Sequence, residues 1–284
     1  MDLISILFIF IFGTLIGSFI NVVALRYNTG QSIVSGGSKC FNCNTPLKWF
    51  ELFPIISFFY LRGKCRTCQS SISKQYPIVE FLTGIVFVLV ALRQYRLWPL
   101  YSGFSDGLMY SLLFFLFYSF VFSLLLAIGL YDIKHKIIPD GFVYTFIILS
   151  LGKLALFFYC NNFILSTKDL FDLSAPFVLF VFFASMWLFS KGTWMGFGDA
   201  KLVFGIGALL GFVSGISAVI LGFWLGTLWV IVMFLIQKLQ KNTGQSLSFR
   251  SEIPFAPFLI AGAIIIFFTR FDLLNIGDFL NLVY

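Results

Sequence analysis

Long apolar segments constrain this chain more than any other feature of its sequence. Short polar stretches separate the segments, and we interpret each one as a candidate membrane span. The candidate spans are residues 3–25, 77–95, 108–131, 142–160, 173–189, 202–212, 216–236 and 255–271. Hydrophobic residues make up 60% of the 284-residue chain and charged residues only 11%, which excludes a water-soluble domain. The sequence therefore predicts an all-α polytopic membrane protein with about eight transmembrane helices.

The sixth candidate span is short, and a glycine-rich stretch at 211–215 follows it. We therefore expect the sixth and seventh segments to form a hairpin. If that hairpin is re-entrant, the count of membrane crossings falls to seven.

Basic residues in the loops predict the orientation of the spans, because cytoplasmic loops collect Lys and Arg. The first long loop carries seven basic residues and one acid, Glu51. Alternating sides from this loop gives the following cytoplasmic set: Arg26, Lys39, Lys48, Arg62, Lys64, Arg66, Lys74, Lys134, Lys136, Lys191, Lys201, Lys238, Lys241 and Arg250. The opposite side receives only Arg93, Arg96, Lys168 and Arg270. Since topology explains the net charge of +7, we expect no nucleic-acid partner.

The spans and the loop suggest three parts. Residues 1–25 are the first transmembrane helix, which we interpret as permanent because no basic residue precedes it and no cleavage site follows it. Residues 26–76 form a cytoplasmic cysteine-rich loop, and residues 77–284 form the remaining transmembrane domain. The loop is too small to bury a core unaided, so it needs a further source of stability.

Four of the five cysteines could provide this stability by binding a metal ion. Two C-x-x-C pairs, Cys40 with Cys43 and Cys65 with Cys68, match the spacing of a four-thiolate zinc knuckle. Bound zinc would contribute folding free energy to the loop, and a closed four-thiolate site is structural. Disulfides are the alternative, which a reducing cytoplasm disfavours. Cys160, inside an apolar run, is expected to face lipid or a neighbouring helix.

Two acids lie at the ends of spans, where a carboxylate is costly. Asp132 follows the third span and Asp199 precedes the sixth, so the predicted topology puts both at the same depth on the cytoplasmic side. Neighbouring carboxylates cannot both ionise cheaply, so such a pair shares a proton. One member can then act as base and the other as acid in peptide hydrolysis. Gly196 and Gly198, just before Asp199, would allow a substrate backbone to approach closely.

Three other polar residues have more ordinary interpretations. Asp140, after a proline, is expected to begin the fourth span. Glu80 is either a buried polar contact or part of the site. His135, between two lysines, is expected to be an interfacial residue rather than a catalyst.

The first span carries Gly13 and Gly17, which have the spacing of close helix packing, and Asn21, which can hydrogen-bond across helices. We interpret these residues chiefly as packing residues.

Several motifs together resemble the type IV prepilin peptidases, a family of polytopic aspartic proteases. The matching stretches, in order, are Gly17-Ser-Phe-Ile-Asn21-Val-Val-Ala-Leu-Arg26, the two C-x-x-C pairs, Asp132 with Ile138-Pro139-Asp140, Gly196-Phe-Gly198-Asp199-Ala-Lys201, and Pro254-Phe-Ala256-Pro257-Phe-Leu259. Two positions depart from the family pattern, Asn28 where a proline is usual and Ala256 where a glycine is usual. We expect neither departure to touch Asp132 or Asp199.

The resemblance implies a multi-pass protein of the bacterial inner membrane with Asp132 and Asp199 as the catalytic residues. The implied substrates are prepilins or pseudopilins, each with a short basic leader before an apolar helix that lies in membrane lipid. Cleavage would follow a glycine at the cytoplasmic membrane face. Many family members also methylate the new N-terminus with S-adenosylmethionine, and the cysteine loop accompanies the members with both activities. The resemblance leaves the cofactor-binding residues and the oligomeric state open.

Two other functions share some of these features. A presenilin-like intramembrane aspartic protease would have similar motifs around Asp132 and Asp199, but the cysteine loop and the Ile-Pro-Asp stretch count against it. A proton-coupled transporter could use two acids as a relay. Transporters often contain internal repeats, and the sequence offers none, so this alternative is also weaker.

Overall fold

The computed structural model describes residues 1–101, 107–160, 165–239, 254–275 and 277. Within those residues every regular element is a helix, apart from two isolated β-bridges in the cysteine loop. The helices are α1 Leu3–Arg26, α2 Ile56–Tyr60, α3 Gln75–Tyr101, α4 Gly107–His135, α5 Asp140–Cys160, α6 Thr167–Ser190, α7 Phe197–Leu210, α8 Phe212–Leu239 and α9 Ala256–Thr269, with a 3₁₀ turn at Trp49–Leu52. The all-α fold class is confirmed. Lys241 and Arg250, used in the predicted topology, lie outside the described residues.

Each of the eight predicted spans is helical over most of its length, but the helices differ in length. Six of them, α1, α3, α4, α5, α6 and α8, are long and apolar enough to cross a membrane. The other two, α7 and α9, have 14 residues each, which is about 21 Å of helix against a hydrocarbon core of about 30 Å. The structure thus has six candidate spans among the described residues and two shorter apolar helices.

The connection between α7 and α8 is shorter than predicted. Instead of a turn over 211–215, a single residue, Gly211, separates the helices, with φ 83° in a region that favours glycine. Polar side chains from other helices fix this break. The Lys153 ammonium donates to the carbonyl of Leu209 at 2.9 Å, and the Phe212 N–H donates to the Asp172 carboxylate at 2.8 Å. The end of α7 is therefore set by α5 and α6, and its local sequence alone did not reveal it.

The chain divides into two compact units, of which the first is Met1–Ala127. Its main contact is between α1 and α3. A Cβ on Gly13 or Gly17 would lie only 2.8 or 2.7 Å from backbone atoms of α3, so these glycines allow the close approach. The Asn21 amide donates to the Tyr76 carbonyl at 3.4 Å. The predicted packing role of these residues is confirmed.

The second unit is Ile128–Tyr284. Helix α7 is its most enclosed element, because it packs against α5, α6, α8 and α9. Gly205 on α7 leaves room for the ring of Phe146, which is fully buried. The predicted division of the chain after residues 25 and 76 does not coincide with the boundary between these two units, and it stays a prediction.

Candidate active site and metal centre

Asp132 lies in the last turn of α4, and its side chain is 5% exposed. Its carboxylate accepts a hydrogen bond of 3.2 Å from the backbone N–H of Ala256. Ala256 is the first residue of α9, where backbone N–H groups have no partner within the helix. The late proline motif therefore supplies a donor to Asp132. The expectation that Ala256 touches neither acid was wrong, because the fold brings the start of α9 to the end of α4.

Asp199 lies in the first turn of α7, and its side chain is 7% exposed. Gly196 is the residue before the helix, and its carbonyl accepts the Asp199 N–H at 3.2 Å. The Asp199 carboxylate also lies beside the backbone of Gly196, which interacts with it electrostatically. The start of α7 and the buried acid are thus stabilised by the same short segment.

The two acids belong to the same unit, and they interact. Asp132 lies close enough to Asp199 for its negative charge to act on the Asp199 carboxyl group. Both are buried, so water screens this repulsion only weakly. Such a pair is able to hold one proton between two carboxyl groups, which is the state that acid–base catalysis requires. The catalytic roles of Asp132 and Asp199 stay predictions.

The glycines before Asp199 have different surroundings. A Cβ on Gly198 would lie 2.9 Å from the Cβ of Ile138, so this glycine is needed for packing against the Ile-Pro-Asp stretch. A Cβ on Gly196 would come no nearer than 3.7 Å to a neighbouring atom outside its chain neighbours, the Asp199 carboxylate oxygen. Of the two, only Gly196 fits the predicted close approach of a substrate backbone.

An ion pair that the sequence did not predict lies next to this site. Asp140 begins α5, as predicted, and its carboxylate accepts a hydrogen bond from the Lys201 ammonium. The Lys201 side chain is 15% exposed and lies over the rings of Tyr144 and Phe197, at 5.1 and 5.5 Å. Lys201, which belongs to the predicted cytoplasmic set, is largely enclosed and links α7 to α5.

The remaining polar candidates have local partners. The His135 ring is half-buried, and it stacks on Tyr131 with 4.2 Å between ring centroids, which agrees with an interfacial role. Glu80 is 6% exposed in the first unit. Its carboxylate accepts the Ile55 N–H at 2.7 Å and interacts with the Ser18 side chain of α1. Glu80 is therefore a buried polar contact that joins the cysteine loop to α1 and α3.

The four cysteines of the loop converge on one point. Their sulfur atoms all lie within 4.8 Å of one another, with 3.7 Å between Cys40 and Cys68 and 4.0 Å between Cys43 and Cys65. Sulfurs at the corners of a tetrahedron around a metal at about 2.3 Å would be about 3.8 Å apart. A disulfide would need about 2.05 Å between sulfurs, and all five cysteines are free. The cluster can therefore hold a metal ion, and Cys160 is exposed at the end of α5.

The two cysteine pairs have the same backbone fold. In each, the N–H of the first cysteine donates to a carbonyl five residues on, and its carbonyl accepts from the residue four on. Those residues four on, Asn44 and Gln69, have φ 55° and 58°. The Ser70 hydroxyl, 3.0 Å from the Cys68 sulfur, and the Ser70 backbone lower the pKa of the Cys68 thiol to about 6. A thiolate is the form that binds a metal.

The fold and these sites define the class of the protein: a multi-pass helical membrane protein with a pair of buried acids and a cysteine cluster that can hold a metal ion. Two sequence profiles match the chain. Residues 11–94 match the bacterial peptidase A24 N-terminal domain, and residues 119–231 match the type IV leader peptidase family. The first match contains the cysteine cluster, and the second contains both Asp132 and Asp199.

Characterised relatives extend the match over most of the chain. A prepilin leader peptidase/N-methyltransferase of Bacillus subtilis is 30% identical over 264 residues, which cover 90% of this chain and 91% of the relative. One from Stutzerimonas stutzeri is 29% identical over 279 residues, covering 89% and 86%. One from Myxococcus xanthus is 37% identical over 132 residues, covering 46% of this chain and 35% of the relative. No solved structure matches significantly.

The chain therefore belongs to the type IV leader peptidase family, a family of aspartic peptidases. This membership decides against the presenilin-like and transporter alternatives.

Proposed function

We propose that this chain removes the leader from prepilins or pseudopilins, with Asp132 and Asp199 as its catalytic pair. One observation carries the proposal. Two buried acids from distant parts of the sequence lie close enough to interact, and Asp132 accepts a hydrogen bond from a backbone N–H. The relatives in Bacillus subtilis and Stutzerimonas stutzeri are both named prepilin leader peptidase/N-methyltransferase, which supports this substrate class.

The two acids divide the work of peptide hydrolysis. The ionised carboxylate takes a proton from water as the water oxygen attacks the scissile carbonyl carbon. The protonated partner donates its proton to the carbonyl oxygen, which stabilises the tetrahedral intermediate. When the C–N bond breaks, the acid that took the proton from water gives it to the leaving nitrogen. The other acid takes a proton from a hydroxyl of the intermediate as the new carboxyl group forms, so the pair again holds one proton. Burial of both acids favours this shared-proton state over two separate negative charges.

We place the reaction at the cytoplasmic face of the inner membrane. The basic residues of the loops favour that orientation, because the predicted topology puts most of them on the side where α4 ends and α7 begins. A prepilin would then keep its leader in the cytoplasm and its apolar helix in lipid. Room beside Gly196 would accept the substrate backbone at the cut.

We infer that the metal of the cysteine cluster is zinc, because four thiolates in a tetrahedral arrangement are the usual ligands of structural zinc. Cys40, Cys43, Cys65 and Cys68 would fill all four positions around the ion. No position is then left for water or substrate, so the ion stabilises the loop and takes no part in hydrolysis.

We extend the proposal to N-methylation of the new N-terminus, which the names of the relatives support. S-adenosylmethionine would be the donor. When bound, it would supply the methyl group for the amine nitrogen, which would lose a proton, and it would leave as a neutral thioether.

Co-expression with a candidate prepilin tests the proposal. Asp132→Asn and Asp199→Asn should each lower leader removal by about a hundredfold or more, because each loses an acid–base group. The protein should still reach the membrane in normal amount. Mass spectrometry of the product reports both leader loss and the added methyl group.

A matched control is Asp169→Asn. Asp169 is also buried, at 8% exposed, and also lies at the start of a helix, where it accepts the Ser166 N–H at 2.9 Å. The predicted topology puts it on the opposite side of the membrane. Its variant should process the prepilin normally, and normal processing by Asp132→Asn or Asp199→Asn would refute the pair.

A further inference from the structure

The cysteine loop contains a segment in which large apolar and aromatic side chains are exposed, which is unusual outside a membrane. This aromatic segment, residues 49–60, consists of the 3₁₀ turn and α2, and it lies between the two cysteine pairs. Trp49, Ile56, Phe59 and Tyr60 are 77%, 63%, 69% and 79% exposed. Apolar patches of this kind on a segment that does not span the membrane mark a contact surface.

The exposed side chains surround a shallow groove. Phe50, Phe53, Ile56, Ser57 and Tyr60 line about 370 Å³ of open space, and most of its lining is apolar. Aromatic and branched apolar residues in one short segment are typical of peptide that lies at a membrane interface, where Trp and Tyr concentrate.

A hydrogen bond fixes the position of the aromatic segment along α3. The Ile55 N–H donates to the Glu80 carboxylate at 2.7 Å. Glu80 lies about 8 Å along the axis of α3 from its first residue, because each helical residue advances about 1.5 Å. The candidate span begins at Gln75, so Ile55 lies beside the first turns of the span and not beyond its end. The segment therefore lies beside the first turns of a helix that is long and apolar enough to cross the membrane.

The turn at Ile55 is strained, and the Glu80 contact holds it. Ile55 has φ 61°, which a β-branched residue rarely adopts, and the Ile56 N–H donates to the carbonyl of Pro54 across the turn. This turn starts α2 and leaves Ile56 and Phe59 exposed. A buried carboxylate thus supports the backbone shape that presents the apolar side chains.

The charges around the aromatic segment suit an anionic surface. Lys48, Arg62 and Lys64 flank it and are exposed. The single acid of the loop, Glu51, is occupied, because it pairs with Arg66 at 3.4 Å and accepts the Lys48 N–H. Basic residues next to a bilayer are attracted to anionic head groups.

We propose that the aromatic segment is a membrane anchor, which inserts among the anionic lipids of the leaflet where α1 ends and α3 begins. Two candidate spans tether the loop, since α1 ends at Arg26 and α3 starts at Gln75, so the bilayer surface is always within its reach. Contact with lipid explains three observations together: the exposed apolar side chains, the basic residues on either side of the segment, and its position beside the first turns of α3. The anchor holds the metal cluster at the membrane surface, because Arg66 lies between the second pair of cysteines and contacts both Glu51 and the Phe50 ring.

Tryptophan fluorescence of the full chain in lipid vesicles tests the anchor. The chain has six tryptophans, so the Trp49 signal is the difference between the wild type and Trp49→Phe. In vesicles that contain phosphatidylglycerol, bromine atoms on the upper acyl chains should remove most of that signal, and acrylamide in the water should leave most of it. A Trp49 signal that acrylamide removes and bromine leaves would overturn the proposal.

Charge substitutions give a second measurement. Ile56→Glu and Phe59→Glu place a carboxylate on exposed positions of the segment, so the fold should tolerate them while the bromine quenching of Trp49 is lost. Val34→Glu, at a site that is 93% exposed in the same loop, is the matched control and should keep the quenching. Equal loss in all three variants would overturn the anchor. So would protection of Trp49 that grows with the protein-to-lipid ratio, because a second copy of the chain would then cover the segment.

Discussion

At the scale of single residues, the sequence identifies Asp132 and Asp199 as candidate site residues, but it does not reveal which groups contact them. Acids are rare at the ends of spans, and both residues lie in recognisable motifs. The donor to Asp132 is the backbone of Ala256, 124 residues away, and no sequence pattern announces such a contact. The Lys201–Asp140 pair was missed for the same reason, since it joins the starts of two helices that only the fold brings together.

Gly196 and Gly198 provide a test of residue-level packing. Gly198→Ala should lower the free energy of unfolding by about 1 to 3 kcal/mol, because the new Cβ would overlap Ile138 and displace the start of α7. Gly196→Ala should leave it nearly unchanged, since its Cβ meets only ordinary contacts. Thermal unfolding in detergent measures both variants. Equal melting temperatures would show that the contact at Ile138 adjusts freely.

Peptidase activity provides a separate test of Gly196, whose substitution should leave stability nearly unchanged. If a substrate backbone approaches Gly196, then Gly196→Ala should process the prepilin more slowly although it folds normally. Normal processing by this stable variant would remove Gly196 from the proposed substrate path.

At the scale of elements, hydrophobic runs predict which segments are helical and fail on where the helices end. The break at Gly211 depends on Asp172 and Lys153, which come from other helices. The predicted five-residue turn was therefore wrong, because a local cluster of glycines cannot show which one adopts the unusual backbone conformation. By contrast, the cysteine pairs predicted their cluster well, since each C-x-x-C spacing folds into a turn by itself.

Metal content and metal removal test the cysteine cluster. Purified protein should carry about one zinc ion per chain. Removing it with a strong chelator should leave residues 26–74 open to proteolysis, because the bound metal supplies folding free energy to this loop. Cys68→Ser should lose most of the zinc.

The chain contains its own control for this experiment. Cys160→Ser removes a free, exposed thiol and should keep the zinc and the protease resistance. A folded, protease-resistant protein without metal would contradict the structural role of the cluster.

At the scale of the whole molecule, composition predicts a multi-pass membrane protein with ease, because 60% hydrophobic residues leave few other folds open. The number of full crossings was harder to predict. Two of the eight predicted spans are helices of 14 residues, and apolar composition does not distinguish a short enclosed helix from one that crosses the bilayer. Helix α7 is apolar because other helices surround it.

The predicted orientation is testable with the cysteine at the end of α5. Helix α5 starts at Asp140 and ends at Cys160, about 30 Å along its axis, so the two ends should lie on opposite sides of the membrane. A membrane-impermeant maleimide should label Cys160 from the periplasmic side of intact spheroplasts. Cys160→Ser should abolish the label. Adding Lys74→Cys to that variant should restore labelling only after the membrane is opened, and labelling of Lys74→Cys in intact spheroplasts would reverse the proposed topology.

The hydrogen bond to Asp132 has a consequence for how this protein can change during evolution. It comes from a backbone group, the N–H of Ala256. The side chain at this position can be exchanged without removing the hydrogen-bonding group, and only proline lacks the N–H. Alanine can thus occupy position 256, where glycine is usual in the family, while Asp132 keeps its partner. Support by the main chain makes this contact of Asp132 robust to mutational drift at residue 256.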